Sequence, residues 1–305
     1  MITQKLKTFL KTAKKPLIVI LGPTASGKTA LSLKIAKEIN GEIISTDSRQ
    51  IYRGLEIGSD ALPEDQQEGI PHHMIGIVGP DREYSLAEYK DDAEKIIDQI
   101  RKRKNIPILT GGTGLYISAL VEDYDVPRVP PDKKLREKLQ KEAAKKGPEA
   151  LHKRLAKLDP ESAKQIHPNN IRYVIRALEI NLKTGKPKEN KKAAPASTKL
   201  RPDVFMIGID YPREELYERI NSRVDTQDHR GLIDEVRALL DKGYDAPLPA
   251  MSSLGVKEII PFIKKEQTLE ECKETLKQNT RNYAKRQGTW FRRYPQIHWL
   301  KPGDF

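Results

Sequence analysis

The stretch Leu17-Ile-Val-Ile-Leu-Gly22-Pro-Thr-Ala-Ser-Gly27-Lys28-Thr29-Ala-Leu-Ser-Leu-Lys-Ile-Ala-Lys-Glu-Ile39 decides the fold. The apolar run Leu17–Leu21 reads as a buried strand, and Leu31, Leu33, Ile35, Ala36 and Ile39 recur as a helical stripe over Thr29–Ile39. Between them lies the spacing G-x-x-x-x-G-K-[ST], after a strand and before a helix, where a phosphate loop must sit. Glycines let main-chain N–H groups converge on phosphate oxygens, and the helix N-terminus adds positive potential. Lys28 neutralises terminal phosphate charge, and the Thr29 hydroxyl is placed to coordinate Mg²⁺. Most such loops bind a nucleoside triphosphate such as ATP and hydrolyse it or transfer its γ-phosphoryl group, so other residues must choose the reaction.

Working outward, Glu42–Thr46 and Ile106–Thr110 read as further strands. Ser85–Lys104 reads as a helix opened by a capping box, Ser85 with Glu88. Strand–helix alternation of this kind predicts a parallel α/β sheet. The pattern then switches. Asp132–Lys146, Pro148–Leu158, Pro160–Ile166 and Asn170–Thr184 read as helices, and Lys183–Arg201 as a basic solvated linker. Val204–Ile209 restores a strand, followed by helices over Arg213–Lys242, Val256–Lys265 and Leu269–Phe291 and a last strand at Ile297–Leu300. The expected architecture is a phosphate-loop NTPase-like α/β core, residues 1–121 and 200–305, interrupted by an all-helical subdomain at 122–199.

The 305 residues carry a net charge of +12, which points to an anionic partner, nucleic acid or phosphate. The lone Cys272 excludes an intramolecular disulfide and an all-cysteine zinc site, which fits a reducing, cytoplasmic setting. The longest apolar run, Leu17–Leu21, is far short of the roughly 18 residues a membrane span needs. The first 37 residues hold eight Lys and no acid, with Ile2, Leu6, Phe9 and Leu10 at helical spacing. A short amphipathic lead-in helix is preferred over a targeting peptide, because Arg is missing and the first strand follows at once.

Two further strand ends carry candidate chemistry. Asp47, in Asp47-Ser-Arg-Gln-Ile-Tyr-Arg-Gly54, follows a strand where open α/β sheets place ligand-binding residues. Position alone leaves three roles open for it: holding Mg²⁺ through water, accepting a proton, or capping a turn. Gly111-Gly-Thr113-Gly-Leu-Tyr116 ends another strand, and its glycines allow close approach of a ligand or simply make a tight turn. Lys277, Arg281 and Lys285 recur every four residues as a basic stripe, open to phosphate contact or to solvent. Trp290, Phe291 and Trp299 read as core, Cys272 as a small buried residue, and His72 and His73 as structural.

Taken together these segments, with His167-Pro-Asn169, Arg176-Ala-Leu-Glu179, Ala250-Met251, Leu254-Gly255 and Lys277–Gln287 before Thr289-Trp-Phe291, resemble the tRNA dimethylallyltransferases, the tRNA isopentenyl transferases of bacterial type, over nearly the whole chain. The resemblance implies transfer of a dimethylallyl group from dimethylallyl diphosphate to N6 of adenine 37 of tRNA. It implies that Gly22, Pro23, Thr24, Ala25, Ser26, Gly27, Lys28 and Thr29 bind the diphosphate with Mg²⁺, and that Arg223 reaches it from the C-terminal half. It makes Asp47 the general base, oriented by Thr24. The target base must be flipped out of its stack. The implied tRNA contacts are Asp47, Ser48, Arg49, Gln50, Thr113, Arg136, Arg172, Tyr173, Val174, Ile175, Arg176, Ser252, Ser253, Leu254, Gly255, Val256 and Lys257, with Lys277, Arg281 and Lys285 on the basic stripe. The helical insertion would grip the anticodon stem-loop, and a cytoplasmic monomer is expected. The chain departs from the family pattern at Leu62, Asn170, Tyr173, Val256 and Gly288. Two other readings share the loop: an adenylate isopentenyltransferase acting on a free nucleotide, which would not need the insertion, and a phosphate-loop kinase or ATPase.

Overall fold

The computed structural model describes residues 2–122, 126–185 and 200–304. The chain forms two compact units, Met1–Asp123 with Lys199–Phe305, and Tyr124–Thr198. Residues 186–199 of the run read as a linker lie outside the described residues.

The larger unit opens with α1 (Ile2–Thr12), whose Leu6 is buried and whose Phe9 ring lies 5.2 Å from Phe205. Strand β1 (Leu17–Leu21) is buried at all five positions, as an uninterrupted apolar run demands. Then come α2 (Lys28–Ile39), β2 (Gly41–Ser45), the two-residue β3 (His72–His73), α3 (Leu86–Lys102), β4 (Ile106–Gly111) and α4 (Gly114–Val121). The capping box read at Ser85 and Glu88 is formed in both directions. The histidines are structural: they make the edge strand, and His73 Nε2 lies 2.7 Å from the buried Glu42 carboxylate. Helix α4 went unread in the sequence.

The smaller unit holds α5 (Lys133–Lys146), α6 (Pro148–Leu158), α7 (Pro160–Gln165) and α8 (Ile171–Thr184) among its described residues. They pack around Leu139, Leu151, Leu155, Val174 and Leu178, all essentially without exposure.

The larger unit resumes with β5 (Val204–Ile209), α9 (Arg213–His229), α10 (Leu232–Asp241), α11 (Val256–Ile263), α12 (Leu269–Phe291) and β6 (His298–Leu300). The single helix expected over Arg213–Lys242 is two helices. Gly231 breaks it with φ of +97°, a conformation that costs glycine little and other residues much, and caps α10. Trp299 is also corrected: it is 39% exposed, whereas Phe291 is fully buried and Trp290 half-buried.

The six strands are parallel in the order β3-β2-β4-β1-β5-β6. Because β4 lies between β2 and β1, the segments leaving the carboxyl ends of all three strands meet at one edge, where such sheets place their ligands. Among the described residues no helix is long and apolar enough to cross a membrane.

Candidate active site

The segment joining β1 to α2 wraps tightly. Ala25 is held at φ of +63° and Gly27, at +85°, caps the helix. A non-glycine residue in the left-handed region persists only where its surroundings impose it. One such contact comes from α9, where Arg219 Nε donates to the Ala25 carbonyl at 2.7 Å. One turn on, Arg223 Nη1 donates to Thr24 Oγ1 at 2.8 Å and lies 3.3 Å from Asp60. Asp60 is shared with Arg230 at 3.0 Å. Lys28 folds back so that Nζ donates to the Pro23 carbonyl at 2.7 Å. Burial, and then the neighbouring Arg223 guanidinium, lower the Lys28 pKa to about 8. Lys28, Thr29, Asp60, Arg219 and Arg223 line one cleft of about 650 Å³. Two arginines and a lysine so placed, against the carboxylates Asp60 and Glu218 in the same lining, leave a net positive cleft that suits a polyphosphate.

The Asp47 segment stands beyond β4. The Asp47 main-chain N–H donates to Ser45 Oγ at 3.2 Å, and Asp47 Oδ1 accepts the Arg49 N–H at 2.8 Å. Of the three roles position left open, turn capping is thus realised on one oxygen, and Oδ2 stays for other work. Ser48 N–H donates to Thr113 Oγ1 at 3.0 Å, which joins the β2 and β4 segments. Tyr116 stacks on Tyr89 at 3.7 Å between centroids, and Tyr89 donates its hydroxyl to the Ser45 carbonyl at 3.0 Å. Burial raises the pKa of both phenols, with the Asp47 charge acting in the same direction, so they remain neutral donors. Burial likewise pushes Tyr283, on α12, up to about 12.

The structure brings together the loop 22–29, Arg223, Asp47, Ser48 and Thr113, and commits the other expected contact residues to different partners or positions. Arg49 Nη1 turns to the Pro249 carbonyl at 2.5 Å. Gln50 stays beside Asp47: its Oε1 accepts from Ser45 Oγ at 2.7 Å, the hydroxyl that also takes the Asp47 N–H, and its Nε2 donates to the Ser59 and Asp60 carbonyls at 3.4 and 3.3 Å. Val174, Ile175, Ser253 and Val256 are corrected outright, because each is buried under 5% exposure and has no surface to offer RNA. Arg136 and Arg176 both bind the fully buried Glu179, so their first task is to neutralise a carboxylate inside the helical unit. Arg172 and Tyr173 are exposed on α8, Tyr173 at 63%. Ser252 and Lys257 are exposed, Leu254 half-buried and Gly255 buried. The basic stripe divides: Lys277 is tied to Asp225 at 3.3 Å and Glu274 at 3.2 Å, Arg281 donates to Asn221 at 2.8 Å, and only Lys285 stands open to solvent.

Three residues escaped the sequence reading. Arg219 was visible as the i−4 neighbour of Arg223 on one helix face. Asp60 and Gln287 carried no local signal, because their partners are remote in the chain.

The residues fit Mg²⁺ only in one way. Among the described residues no three His, Cys, Asp or Glu side chains are grouped to hold a metal. Mg²⁺ commonly takes one or two protein oxygens, substrate phosphates and water, so a Thr29 hydroxyl beside a bound diphosphate is a sufficient donor set. The buried Ser26 hydroxyl, without a hydrogen-bond partner among the described residues, adds a loop oxygen suited to phosphate or its cation.

A parallel sheet whose first strand opens into this loop, with arginines from a C-terminal helix on the loop itself, defines an α/β protein with its candidate site at the carboxyl ends of the strands. A family model described as IPP transferase matches residues 50–294, and one described as isopentenyl transferase matches residues 15–73. The chain belongs to the IPP transferase family. It is 49% identical over 296 residues to the tRNA dimethylallyltransferase of Pelotomaculum thermopropionicum, covering 96% of this chain and 92% of that protein. It is 48% identical to that of Alkaliphilus oremlandii, over 96% and 93% of the two chains. Among solved structures it is similar to the tRNA isopentenylpyrophosphate transferase of Bacillus halodurans, with 41% identity, a TM-score of 0.69 and coverage of 94% and 90%. It is also similar to a eukaryotic dimethylallyltransferase acting on tRNA, with 31% identity, a TM-score of 0.81 and coverage of 95% and 75%.

Proposed function

We infer that this protein transfers the dimethylallyl group of dimethylallyl diphosphate to N6 of adenine 37 in tRNA and releases diphosphate. The observation that carries this reading is the meeting of two segments at one sheet edge. A cationic phosphate loop on β1 suits a leaving diphosphate, and a carboxylate with one uncommitted oxygen, Asp47, suits an amine proton.

The C1–O bond of the allylic diphosphate breaks and the electron pair leaves on oxygen. Lys28, Arg223 and the loop N–H groups stabilise that charge, an electrostatic contribution of several kcal/mol in a water-poor site. The N6 lone pair of adenine forms the new N–C1 bond, and the N6 proton passes to Asp47 Oδ2. Thr24, whose hydroxyl accepts from Arg223, ties the donor side to this geometry. Mg²⁺, held by Thr29 and the diphosphate, would offset leaving-group charge. The family membership and the exposed Arg172 and Tyr173 support a helical unit that meets the anticodon stem-loop. A single chain supplies loop, arginine and carboxylate, which supports a monomer as the working unit, and tRNA as acceptor supports a cytoplasmic site of action.

The test is incubation with tRNA and either dimethylallyl diphosphate or ATP, followed by mass spectrometry of the digested tRNA. A dimethylallyl adduct on adenine 37 from the first donor and none from the second is expected. An adduct only on free AMP, or turnover of ATP alone, would replace the reading with a free-nucleotide transferase or an ATPase.

A further inference from the structure

The loop after β1 and the Asp47 segment after β2 rise from strands that are not neighbours, since β4 runs between them. The Asp47 side is fixed to the end of β4: Ser48 N–H donates to Thr113 Oγ1 at 3.0 Å, and Thr113 N–H donates to the Thr46 carbonyl at 3.0 Å. The phosphate-loop side is fixed to the same end of β4 by one side chain from α12. Gln287 Oε1 accepts the Thr24 N–H at 2.8 Å, and its Nε2 donates to the Gly112 carbonyl at 2.9 Å. Gln287 is 5% exposed, so both bonds are sheltered from water. Tyr283, one turn earlier on α12, is half-buried and lies on the same side of the helix, near Thr113 and Gln287. A Cβ on Gly112 would come within 2.1 Å of Gln287 Nε2, so the backbone is bare where the amide approaches.

We propose that Gln287 is a positioning residue that sets the separation between the allylic diphosphate on the loop and the adenine N6 at Asp47. The inference rests on the transferase reading above. The Thr24 amide is aimed at Gln287 rather than at phosphate, so the clamp acts on the shape of the loop and not on the charge that holds the anion. Loss of the clamp therefore falls on alignment in the transfer step. Misplacement of reacting groups by about 1 Å costs on the order of 100-fold in rate.

The experiment compares the parent with Gln287→Met, Gln287→Glu and Gly112→Ala. Single-turnover transfer, binding of inorganic diphosphate, binding of tRNA and hydrogen exchange of the 22–29 amides are measured on each. Gln287→Met keeps the volume and removes both hydrogen bonds. The transfer rate is expected to fall roughly 30–100-fold, with diphosphate and tRNA affinities within about threefold of the parent and faster exchange at the loop. Gly112→Ala, which obstructs the same contact, is expected to fall in the same range. Gln287→Glu keeps the acceptor for Thr24 and regains the donor for Gly112 on protonation, so its rate relative to the parent should rise as pH is lowered from about 8 to 6, burial having raised the carboxyl pKa. If Gln287→Met does not fold, the Gln287→Glu profile decides. The clamp is overturned by a folded Gln287→Met with a rate within about threefold of the parent, by diphosphate affinity lost in proportion to rate, or by a flat Gln287→Glu profile. A parent that transfers nothing would instead remove the function reading, and the clamp's role with it.

Discussion

Lys28 offers a perturbation whose size follows from the site. It is half-buried at the base of the cleft, and loss of solvation first and the neighbouring Arg223 guanidinium second lower its pKa to about 8 from the usual 10.5. The sign follows directly: as pH rises past 8 the free protein loses the Lys28 charge, while a bound diphosphate keeps it. Binding must then take up a proton, and affinity falls about tenfold for each pH unit above 8. Between pH 7.5 and 9.5 the loss is roughly 25-fold, about 1.9 kcal/mol. Isothermal titration with inorganic diphosphate measures it. Diphosphate titrates too, so the result is taken relative to Lys28→Arg, which stays charged throughout. The parent-to-variant ratio should fall steeply above pH 8. A ratio constant to pH 9.5 would show that Lys28 does not meet the anion, or that its charge is not suppressed by burial.

Further outcomes follow from the same contacts. Glu42, buried and held by Arg103, Asn105 and His73, has its pKa lowered from 4.5 to about 2, and its contribution is present above pH 4.5 and lost as pH falls towards 2. Glu42→Gln should therefore cost about 3 kcal/mol at pH 7 in urea unfolding, with the gap to the parent closing below pH 4.5; a gap independent of pH would contradict this. Lys285→Ala should reduce the slope of log tRNA affinity against log salt by roughly 0.7–0.9, because each neutralised phosphate releases counterions. Lys277→Ala, whose side chain already faces Asp225 and Glu274, should leave that slope unchanged; a reversed order would undo the division of the stripe.

Much of this architecture was legible because the signals were local. Leu17–Leu21 is a five-residue apolar run bounded by Pro16 and Gly22, which reads as a buried strand, and the glycine–lysine spacing after it marks the turn into a helix. Ser85 and Glu88 satisfy each other three residues apart, so their capping box needed no tertiary information. The contact runs were less legible. Reading 172–176 and 252–257 as whole segments ignored the helical period, which turns Val174, Ile175 and Val256 inward while Arg172, Tyr173 and Lys257 face out. The merged helix over Arg213–Lys242 came from apolar spacing that continues past Gly231, and one left-handed glycine outweighed it. Gln287 was out of reach of any local pattern, since its two partners lie 263 and 175 residues away. A buried amide on an amphipathic helix shows its role only once the fold has brought those strand ends together.

The central claim is that one sheet edge holds a diphosphate on the β1 loop and an acceptor amine at Asp47. Single-turnover transfer to tRNA by Asp47→Ala tests it most directly, with diphosphate and tRNA binding measured on the same preparation. The account predicts a rate lower by about 10²–10⁴-fold, the usual loss for a general base, with both ligands still bound. Transfer within about twofold of the parent would contradict it, because the proton of N6 would then have another acceptor.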